Sequence, residues 1–320
     1  ATWLGHASFL VSLPTRTRPT RILCDPIFSA RAGPTQYTGL TRRLPPPCTL
    51  DDLPHFDFVV ISHNHYDHLD LPTQQSIRAD PRRHNVRYLV PLGLKQFFTD
   101  APLNVPPAHV FELDWWDTIS LPAVQPCADD ADERAPAPDP RMITFVCTPA
   151  QHNSGRGIVD SRTTLWASWV FEATCPAPDD RRVAVYFAGD TGLMTPSGPC
   201  RIFDDIGDRH GPFDLALLPI WRGGSLSFVA RLGLRHPSTA ALTALHATPA
   251  HAIRMHAALR ARRSLAMHFA TFAGSDAEAR DALVELVQAR EAGAREIGDW
   301  TVEGGFGWVD VGGTAVVPLD

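Results

Sequence analysis

The sequence predicts an α/β fold in which two mixed β-sheets pack together with helices outside. Several strand-like runs are short and nearly all apolar, as in Phe56 to Ser62 and Asp214 to Ile220, which is typical of strands covered on both faces. These runs stand before and after helical segments in two successive halves of the chain. That order indicates two layered sheets.

Strands are predicted where apolar and β-branched residues cluster over several consecutive positions. In chain order they cover 3–13, 21–24, 56–62, 87–90, 109–113, 142–148, 163–171, 183–188, 214–220 and 264–269, followed by a pair within 306–317. The 29 prolines are nearly double the usual share, which predicts many loops and turns between these strands.

Capping residues predict two longer helices in the last third of the chain. Thr248 fits an N-cap that is followed by Pro249 at the first helical position. Ser275 and Glu278 have the spacing of a capping box, and Gly293 fits the end of that helix. Shorter helices are predicted to start near Leu71 and Gly93.

The composition predicts a single domain over residues 1–320, with loop insertions near 125–141, 173–182 and 221–245. Hydrophobic residues make up 44% and charged residues 20% of the chain, a balance that excludes disorder throughout. The formal net charge is −6, whereas a nucleic-acid binder normally carries a basic excess. We therefore expect no nucleic-acid partner.

The cysteines and the chain start bear on the compartment. The six cysteines include no C-x-x-C pair and do not form a disulfide framework, which favours a reducing compartment, although one or two bridges stay open. No apolar run reaches the ~18 residues that a membrane span needs. The sequence shows no signal peptide and opens at Ala1 without Met, as a trimmed chain does, so targeting information can have been lost.

The strongest chemical pattern is a histidine-rich loop that directly follows an apolar strand. Within S-H-N-H-Y-D-H, four potential metal ligands fall in six residues: His63, His65, Asp67 and His68. Imidazole nitrogen and carboxylate oxygen are standard zinc donors. With 14 histidines in 320 residues, three so close together beside an aspartate are improbable by chance, which favours metal binding.

One loop cannot close two metal sites, so further ligands must come from elsewhere. His152, Asp190 and His268 each lie at an apolar strand, where a sheet holds a ligand rigidly. Taken alone, Asp190 would be a turn residue and His268 a core residue. The order and context of all three together favour the metal interpretation.

The succession H-x-H-x-D-H, His, Asp, His resembles the metallo-β-lactamase superfamily. Several segments also resemble the N-acyl phosphatidylethanolamine-hydrolysing phospholipase D family within it: 3–7, 25–29, 61–70, 113–116, 148–152, 187–192 and 211–214. Together with the motif at 268–272, they span residues 3 to about 272. The family's typical H-x-G-T-F has Ala270 in place of glycine here, so the acyl-chain preference stays open.

The resemblance implies a four-layer αβ/βα sandwich with a two-zinc site at the sheet edges. It assigns one zinc ion to His63, His65 and His152, the other to Asp67, His68 and His268, and the bridging position to Asp190. Iron or manganese would bind similar donors.

Three residues are expected at the reaction itself. Asp67 and Asp190 are candidate catalytic residues because they hold the ions at the reacting centre. His246 precedes a predicted helix and matches a histidine that lines the family's site. It either binds a phosphate oxygen or protonates the leaving group, or it is a surface histidine at the helix entry.

Four further residues are expected near the site. Asp25 resembles an aspartate that supports the histidine-rich loop, although a turn residue before a proline fits equally well. His6 lies near the site or is a buried structural histidine, and Tyr66 lines the pocket. Trp221 opens a stretch that is either a lid, a shallow membrane contact or a covered surface helix.

The resemblance implies a zinc-dependent phosphodiesterase of phospholipase D type. A hydroxide held between the two ions attacks phosphorus of N-acyl phosphatidylethanolamine and releases N-acylethanolamine and phosphatidic acid. The same ligands also suit a hydrolase of another ester, such as a lactone or a small phosphodiester. A non-catalytic, metal-stabilised scaffold that binds lipid is the third alternative.

A phospholipid substrate also carries expectations about partners and location. It implies an intracellular protein in peripheral contact with an internal membrane or a mitochondrion. Family members can dimerise, so a homodimer stays open.

Overall fold

The computed structural model describes residues 1–15, 18–123, 142–157, 159–175, 180–221, 242–292 and 297–319. The predicted insertion at 125–141, most of 221–245 and the centre of 173–182 lie outside the described residues, as does Gly293.

The first sheet is built from the N-terminal part of the chain. Its strand order is β1 (Thr2–Gly5), β2 (Ser8–Leu13), β3 (Thr20–Cys24), β6 (Phe58–Val60), β7 (Arg87–Pro91) and β8 (Val110–Leu113). The short hairpin of β4 (Arg31–Ala32) and β5 (Leu40–Thr41) lies between β3 and β6 in sequence. In this sheet β1, β2 and β3 pair antiparallel, whereas β3, β6, β7 and β8 pair parallel. The sheet is therefore mixed, as predicted.

The second sheet follows the first along the chain. It contains β9 (Thr118–Pro122), β10 (Met142–Thr148), β11 (Ser168–Thr174), β12 (Arg182–Phe187), β15 (Leu215–Pro219), β16 (Arg263–Met267) and β17 (Gly305–Gly307), in the spatial order β17-β16-β15-β12-β11-β10-β9. A small hairpin of β13 (Met194–Thr195) and β14 (Gly198–Pro199) stands apart from it. β9 to β12 pair antiparallel and β12, β15, β16 and β17 pair parallel.

The helices complete the outer layers. They are α1 (Leu71–Ala79), α2 (Lys95–Thr99), α3 (Ile202–His210), α4 (Pro249–Ala258) and α5 (Asp276–Glu291), with short 3₁₀ turns at Pro81–Arg83 and Pro107–His109. Among the described residues, no helix combines the length and apolar character that crossing a membrane requires.

Alternating side chains of the first sheet enter two different cores. Phe58 and Val60 of β6 belong to the large core that also holds Phe145 of β10. Val59, between them, belongs to a second core with Ile77 of α1. Because successive strand residues point to opposite faces, the sheet is covered by the second sheet on one side and by helices on the other. The predicted αβ/βα sandwich is confirmed.

The predicted helix starts are confirmed with one difference. Thr248 Oγ1 accepts a hydrogen bond from His251 N at 3.2 Å, and Ser275 Oγ accepts one from Glu278 N at 3.1 Å. In a capping box, the Glu278 carboxylate would accept a hydrogen bond from Ser275 N. Instead that carboxylate accepts from Gly274 N at 2.9 Å and from Trp221 Nε1 at 3.2 Å.

Two strand predictions at the chain ends are wrong in detail. The run 3–13 is two strands, because Gly5 and His6 take left-handed φ values of 101° and 53° and turn the chain. The expected final pair is a single strand, β17. The segment after it lies along β1 instead, where Gly312 N donates to Trp3 O at 2.7 Å.

Candidate metal centre

The histidine-rich loop forms one tight turn immediately after β6. His68 N and Leu69 N both donate to His65 O, at 3.1 and 2.8 Å. The turn brings four donor side chains to the edge of the first sheet within a few residues. It thereby supplies ligands in two directions from one rigidly anchored segment.

The first donor group consists of His63, His65 and His152. His63 Nε2 lies 2.8 Å from His65 Nδ1, and His152 Nε2 lies 3.3 Å from the same atom. A tetrahedral ion with bonds of ~2.0–2.1 Å holds its ligand atoms about 3.3 Å apart. The three nitrogens are therefore spaced as ligands of one ion would be.

The second donor group consists of Asp67, His68 and His268. Asp67 Oδ2 lies 3.7 Å from His68 Nε2 and 3.6 Å from His268 Nε2. The members of this group come from different parts of the fold, since His268 follows β16 of the second sheet and the other two belong to the loop after β6.

Asp190 lies between the two donor groups. Its Oδ1 is 2.8 Å from His268 Nε2, and its Oδ2 is 3.2 Å from His68 Nε2 and 3.6 Å from His152 Nε2. One carboxylate thus reaches members of both groups. The structure brings together all seven of the ligands predicted from the sequence.

Several buried atoms of the site lie close to one another without a hydrogen bond of regular geometry. They include His68 Nε2, Asp190 Oδ1 and His268 Nε2. Buried polar atoms without partners cost free energy, which bound cations would recover here. The donor set therefore fits metal ions.

The protonation of His63 and Asp190 suits metal binding, whereas His68 and His268 would have to lose a proton. Burial lowers the pKa of both these histidines, but Asp190 and Asp67 outweigh it and raise the pKa above the usual value. Burial, together with the neighbouring imidazoles, lowers the pKa of His63 well below its usual value, so its ring is neutral. Burial opposes ionisation of Asp190, but His268 and His68 outweigh it and hold the pKa of that carboxyl well below its usual range. Neutral imidazole and ionised carboxylate are the metal-binding forms.

Asp25 contacts a predicted ligand directly. Its carboxylate is fully buried after β3, and Oδ2 lies 2.7 Å from His68 Nδ1. Ser62 holds the same carboxylate through its backbone N at 2.7 Å and its hydroxyl at 2.5 Å. A carboxylate on the second ring nitrogen fixes the orientation of a ligand histidine.

His152 is oriented by the backbone. Its Nδ1 donates to Leu245 O at 2.8 Å, and its Nε2 points the other way, towards His65 of the first donor group. Leu245 directly precedes His246, so the same stretch of chain orients one ligand and carries the candidate catalytic histidine.

His246 is half-buried against the site and does not lie on the open surface at the helix entry. Its Nδ1 lies 3.6 Å from Asp190 Oδ2, and burial lowers the pKa of His246 to about 4. Trp221 packs edge-on against its ring, with the ring centroids 4.6 Å apart. Glu278 accepts from Trp221 Nε1 and so fixes this wall.

His6 and Tyr66 lie beside the second donor group. His6 Nε2 donates to Asp67 Oδ2 at 2.9 Å, and its ring centroid lies 3.9 Å from that of His268. Tyr66 packs against a small apolar cluster that contains Phe272. Both residues therefore contact segments that carry predicted ligands.

Comparison with known proteins identifies the chain's family. Residues 20–269 match the β-lactamase superfamily domain. The chain is 34% identical over 298 residues to N-acyl-phosphatidylethanolamine-hydrolyzing phospholipase D 1 of Caenorhabditis elegans, covering 91% of this chain and 70% of that protein. This chain belongs to that phospholipase D family of the metallo-β-lactamase superfamily. It is a metal-dependent hydrolase.

Two further relatives are longer than this chain. The yeast protein, N-acyl-phosphatidylethanolamine-hydrolyzing phospholipase D, mitochondrial, from Saccharomyces cerevisiae is 29% identical over 68% of this chain and 39% of its own length. An uncharacterized protein of Mycobacterium tuberculosis is 38% identical over 68% of this chain and 47% of its own length. The chain thus spans less than half of these two relatives.

Solved structures at low identity share the fold. CmlA, a diiron β-hydroxylase from Streptomyces venezuelae, superposes with a TM-score of 0.56 at 19% identity, covering 97% of this chain and 52% of CmlA. A possible metal-dependent hydrolase from Veillonella parvula superposes with a TM-score of 0.54 at 16% identity, covering 91% of this chain and 92% of that one.

Sequence reasoning gave no role to Arg156 or to the second function of Glu278. Arg156 contacts the histidine-rich loop, yet an arginine between two glycines carries no recognisable pattern. The spacing of Ser275 and Glu278 indicated only a helix cap, so the contact between Glu278 and Trp221 was not predicted. Only the folded chain brings these partners together.

Proposed function

We propose that this chain is a two-zinc phosphodiesterase of phospholipase D type that hydrolyses N-acyl phosphatidylethanolamine to N-acylethanolamine and phosphatidic acid. The observation that carries the proposal is the position of Asp190 between two groups of buried or half-buried donors. Two cations held a few Å apart suit the in-line displacement at a phosphodiester. The identity to the worm enzyme supports the substrate.

The seven predicted ligands would hold the two ions. The first donor group would bind one, the second donor group the other, and Asp190 would contact both. Bound there, the ions would supply an activated water and neutralise the charge that grows on the phosphate oxygens. Zinc suits five imidazoles and two carboxylates, and metal analysis distinguishes it from iron or manganese.

The chain's own residues orient the ligands and face the substrate. Asp25 and the Leu245 carbonyl fix the rings of His68 and His152. His246 presents an unpartnered, buried Nδ1 beside Asp190, where an imidazole can bind a phosphate oxygen or the oxygen of the leaving group.

A phospholipid substrate requires access to a lipid surface. We therefore include in the proposal a peripheral contact with an internal membrane, in line with the apolar substrate.

Turnover of N-acyl phosphatidylethanolamine in detergent micelles tests the proposal. Products are followed by mass spectrometry in zinc-loaded protein, after chelation, and after zinc is returned. We expect N-acylethanolamine and phosphatidic acid, lost with chelator and restored by zinc. His84→Ala, at an exposed histidine away from the donor groups, is the matched control and should retain turnover.

Absence of lipid products from metal-loaded protein would reject the substrate and leave the metal centre standing. A panel of lactones and soluble phosphodiesters would then identify the ester that the site cleaves. Failure on every ester, with two metal ions bound, would favour the non-catalytic scaffold.

A further inference from the structure

Arg156 contacts both ends of the ligand-bearing turn. Its Nε donates to Asn64 O at 2.7 Å, and its Nη2 donates to Leu69 O. In sequence, these two carbonyls directly precede and follow His65 to His68, a segment that includes three of the predicted ligands. A planar guanidinium can bind two carbonyls at fixed positions, which a flexible ammonium cannot do.

Aromatic rings hold the guanidinium in place. Its carbon lies 4.6 Å from the ring centre of Tyr66 and 5.0 Å from that of Phe97. Tyr66 stands between the ligands His65 and Asp67, while Phe97 belongs to α2. Stacking on aromatic faces adds attraction and limits the freedom of the arginine.

The segment that carries Arg156 also carries a ligand from the other half of the fold. His152 lies four residues before Arg156. Gly155 N donates to Asn64 Oδ1 at 2.7 Å, and Arg156 N donates to Asp160 Oδ2 at 2.7 Å. The two ligand-bearing loops are therefore joined twice, once through Arg156 and once through Asn64.

We infer that Arg156 is a positioning residue that locks the ligand turn after β6 to the loop of His152, and so sets the geometry of both metal sites. The guanidinium touches none of the seven predicted ligand atoms. It acts through the backbone on either side of them. The inference rests on the proposed metal centre but not on its lipid substrate.

Arg83 offers a matched control. Arg83 is buried and Arg156 half-buried, but both bond a backbone carbonyl and stack on an aromatic ring. Arg83 Nη2 donates to Leu50 O, its guanidinium lies 4.7 Å from the ring centre of Phe56, and its Nε lies 3.1 Å from Asp80 Oδ2. These partners lie outside the ligand turn. Arg83→Ala should therefore reproduce the general cost of removing a stacked guanidinium that bonds a carbonyl, without the effect on the metal centre.

The test measures metal binding and needs no lipid. Metal stoichiometry, dissociation constants from competition with a chromophoric chelator, and the cobalt(II) absorption spectrum are compared for the parent, Arg156→Ala, Arg156→Lys and Arg83→Ala. We expect Arg156→Ala to weaken binding by about 10- to 100-fold, the range for residues that orient ligands. Its cobalt spectrum should change, and added guanidinium should restore both.

Arg156→Lys keeps the charge and serves if the alanine variant fails to fold; it should bind metal more weakly than the parent and gain nothing from guanidinium. Arg83→Ala should keep the parent's affinity and spectrum. The inference is overturned if Arg156→Ala keeps both, or if the two alanine variants lose affinity equally without rescue. A parent that binds fewer than two ions would instead reject the proposed metal centre.

Discussion

At the residue scale, the site depends on one aspartate and on the glycine before it. Gly189 has φ 57°, and a Cβ added there would meet Ser62 Cβ at 2.4 Å. Ser62 in turn holds Asp25, which orients His68. The glycine is therefore needed for close approach of the two sheets at the point where Asp190 enters the site.

His246 is the residue whose role is most open to a direct test. If it gives a proton to the leaving oxygen, His246→Ala should lower turnover of N-acyl phosphatidylethanolamine by about 10²- to 10⁴-fold while metal content stays unchanged. A p-nitrophenyl phosphodiester should lose much less, because its leaving group needs no proton. Steady-state kinetics on the two substrates measure the difference.

Equal losses on both substrates would reject proton donation and favour a bond to a phosphate oxygen. Unchanged turnover on both would remove His246 from the mechanism altogether. His84→Ala again serves as the control for replacing a histidine elsewhere.

At the element scale, a charged cluster joins two strands and a helix of the second half. Glu172 of β11 accepts from Arg182 Nη2 of β12 at 2.7 Å and lies 3.2 Å from His210 Nδ1 at the end of α3. Burial opposes ionisation of Glu172, but its bonds to His210 and Arg182 outweigh it and lower the pKa of Glu172 to about 2.

This cluster predicts a pH-dependent part of the free energy of unfolding. The unfolded pKa of a glutamate is about 4.3, so the folded pKa is depressed and the contribution is present above that value. It is lost as the pH falls towards 2, and it amounts to about 3 kcal/mol at most. Glu172→Gln should destabilise metal-free protein at pH 6, and the difference from the parent should shrink by pH 3.

Urea unfolding of the two proteins at both pH values measures this effect, with chelator present throughout to keep metal release out of the comparison. Glu303→Gln, at an exposed turn, is the control. A difference between parent and Glu172→Gln that stays constant from pH 6 to pH 3 would contradict the assignment.

Local patterns predicted the elements well where the cause is local. Thr248 and Ser275 cap helices because a short hydroxyl side chain reaches the first free backbone N–H groups. Donor and acceptor lie three residues apart, so the sequence is enough to predict the cap. The turn at His6 and the pairing of 312–315 with β1 depend on contacts across more than 250 residues, including His6 N to Thr271 Oγ1. No local pattern carries such information.

In the candidate site, too, some residues could be predicted from the sequence and others required the structure. The seven candidate ligands could be selected from the sequence because metal binding restricts the donor types and their spacing, and the structure brings them close together. The contacts of Asp25, Glu278 and Arg156 could not be derived with the same certainty, because each partner lies far away in sequence. Resemblance supplied Asp25, while Arg156 required the structure.

At the scale of the whole molecule, the proposed metal centre ties the two sheets together. The loop after β6 of the first sheet supplies four of the seven predicted ligands, and segments that follow β10, β12 and β16 of the second sheet supply His152, Asp190 and His268. Ions bound there would cross-link the halves of the sandwich, because they bind the folded chain and not the unfolded one.

Metal removal should therefore lower the unfolding temperature. At a free zinc concentration of 1,000 times Kd, binding at one site stabilises by about 4 kcal/mol, which corresponds to a shift of order 10 °C. Calorimetry of the loaded and chelated protein measures it, and returning zinc should reverse it. Asp190→Asn should show a smaller shift, whereas an equal shift in both proteins would argue against Asp190 as a ligand.

We propose that two cations bind in this site on either side of Asp190. A crystal structure of the zinc-loaded chain, with anomalous difference maps recorded above and below the zinc absorption edge, would locate them. We expect two peaks, one among His63, His65 and His152 and the other among Asp67, His68 and His268, both within bonding distance of Asp190. A single peak, or peaks bound by other residues, would contradict the proposal.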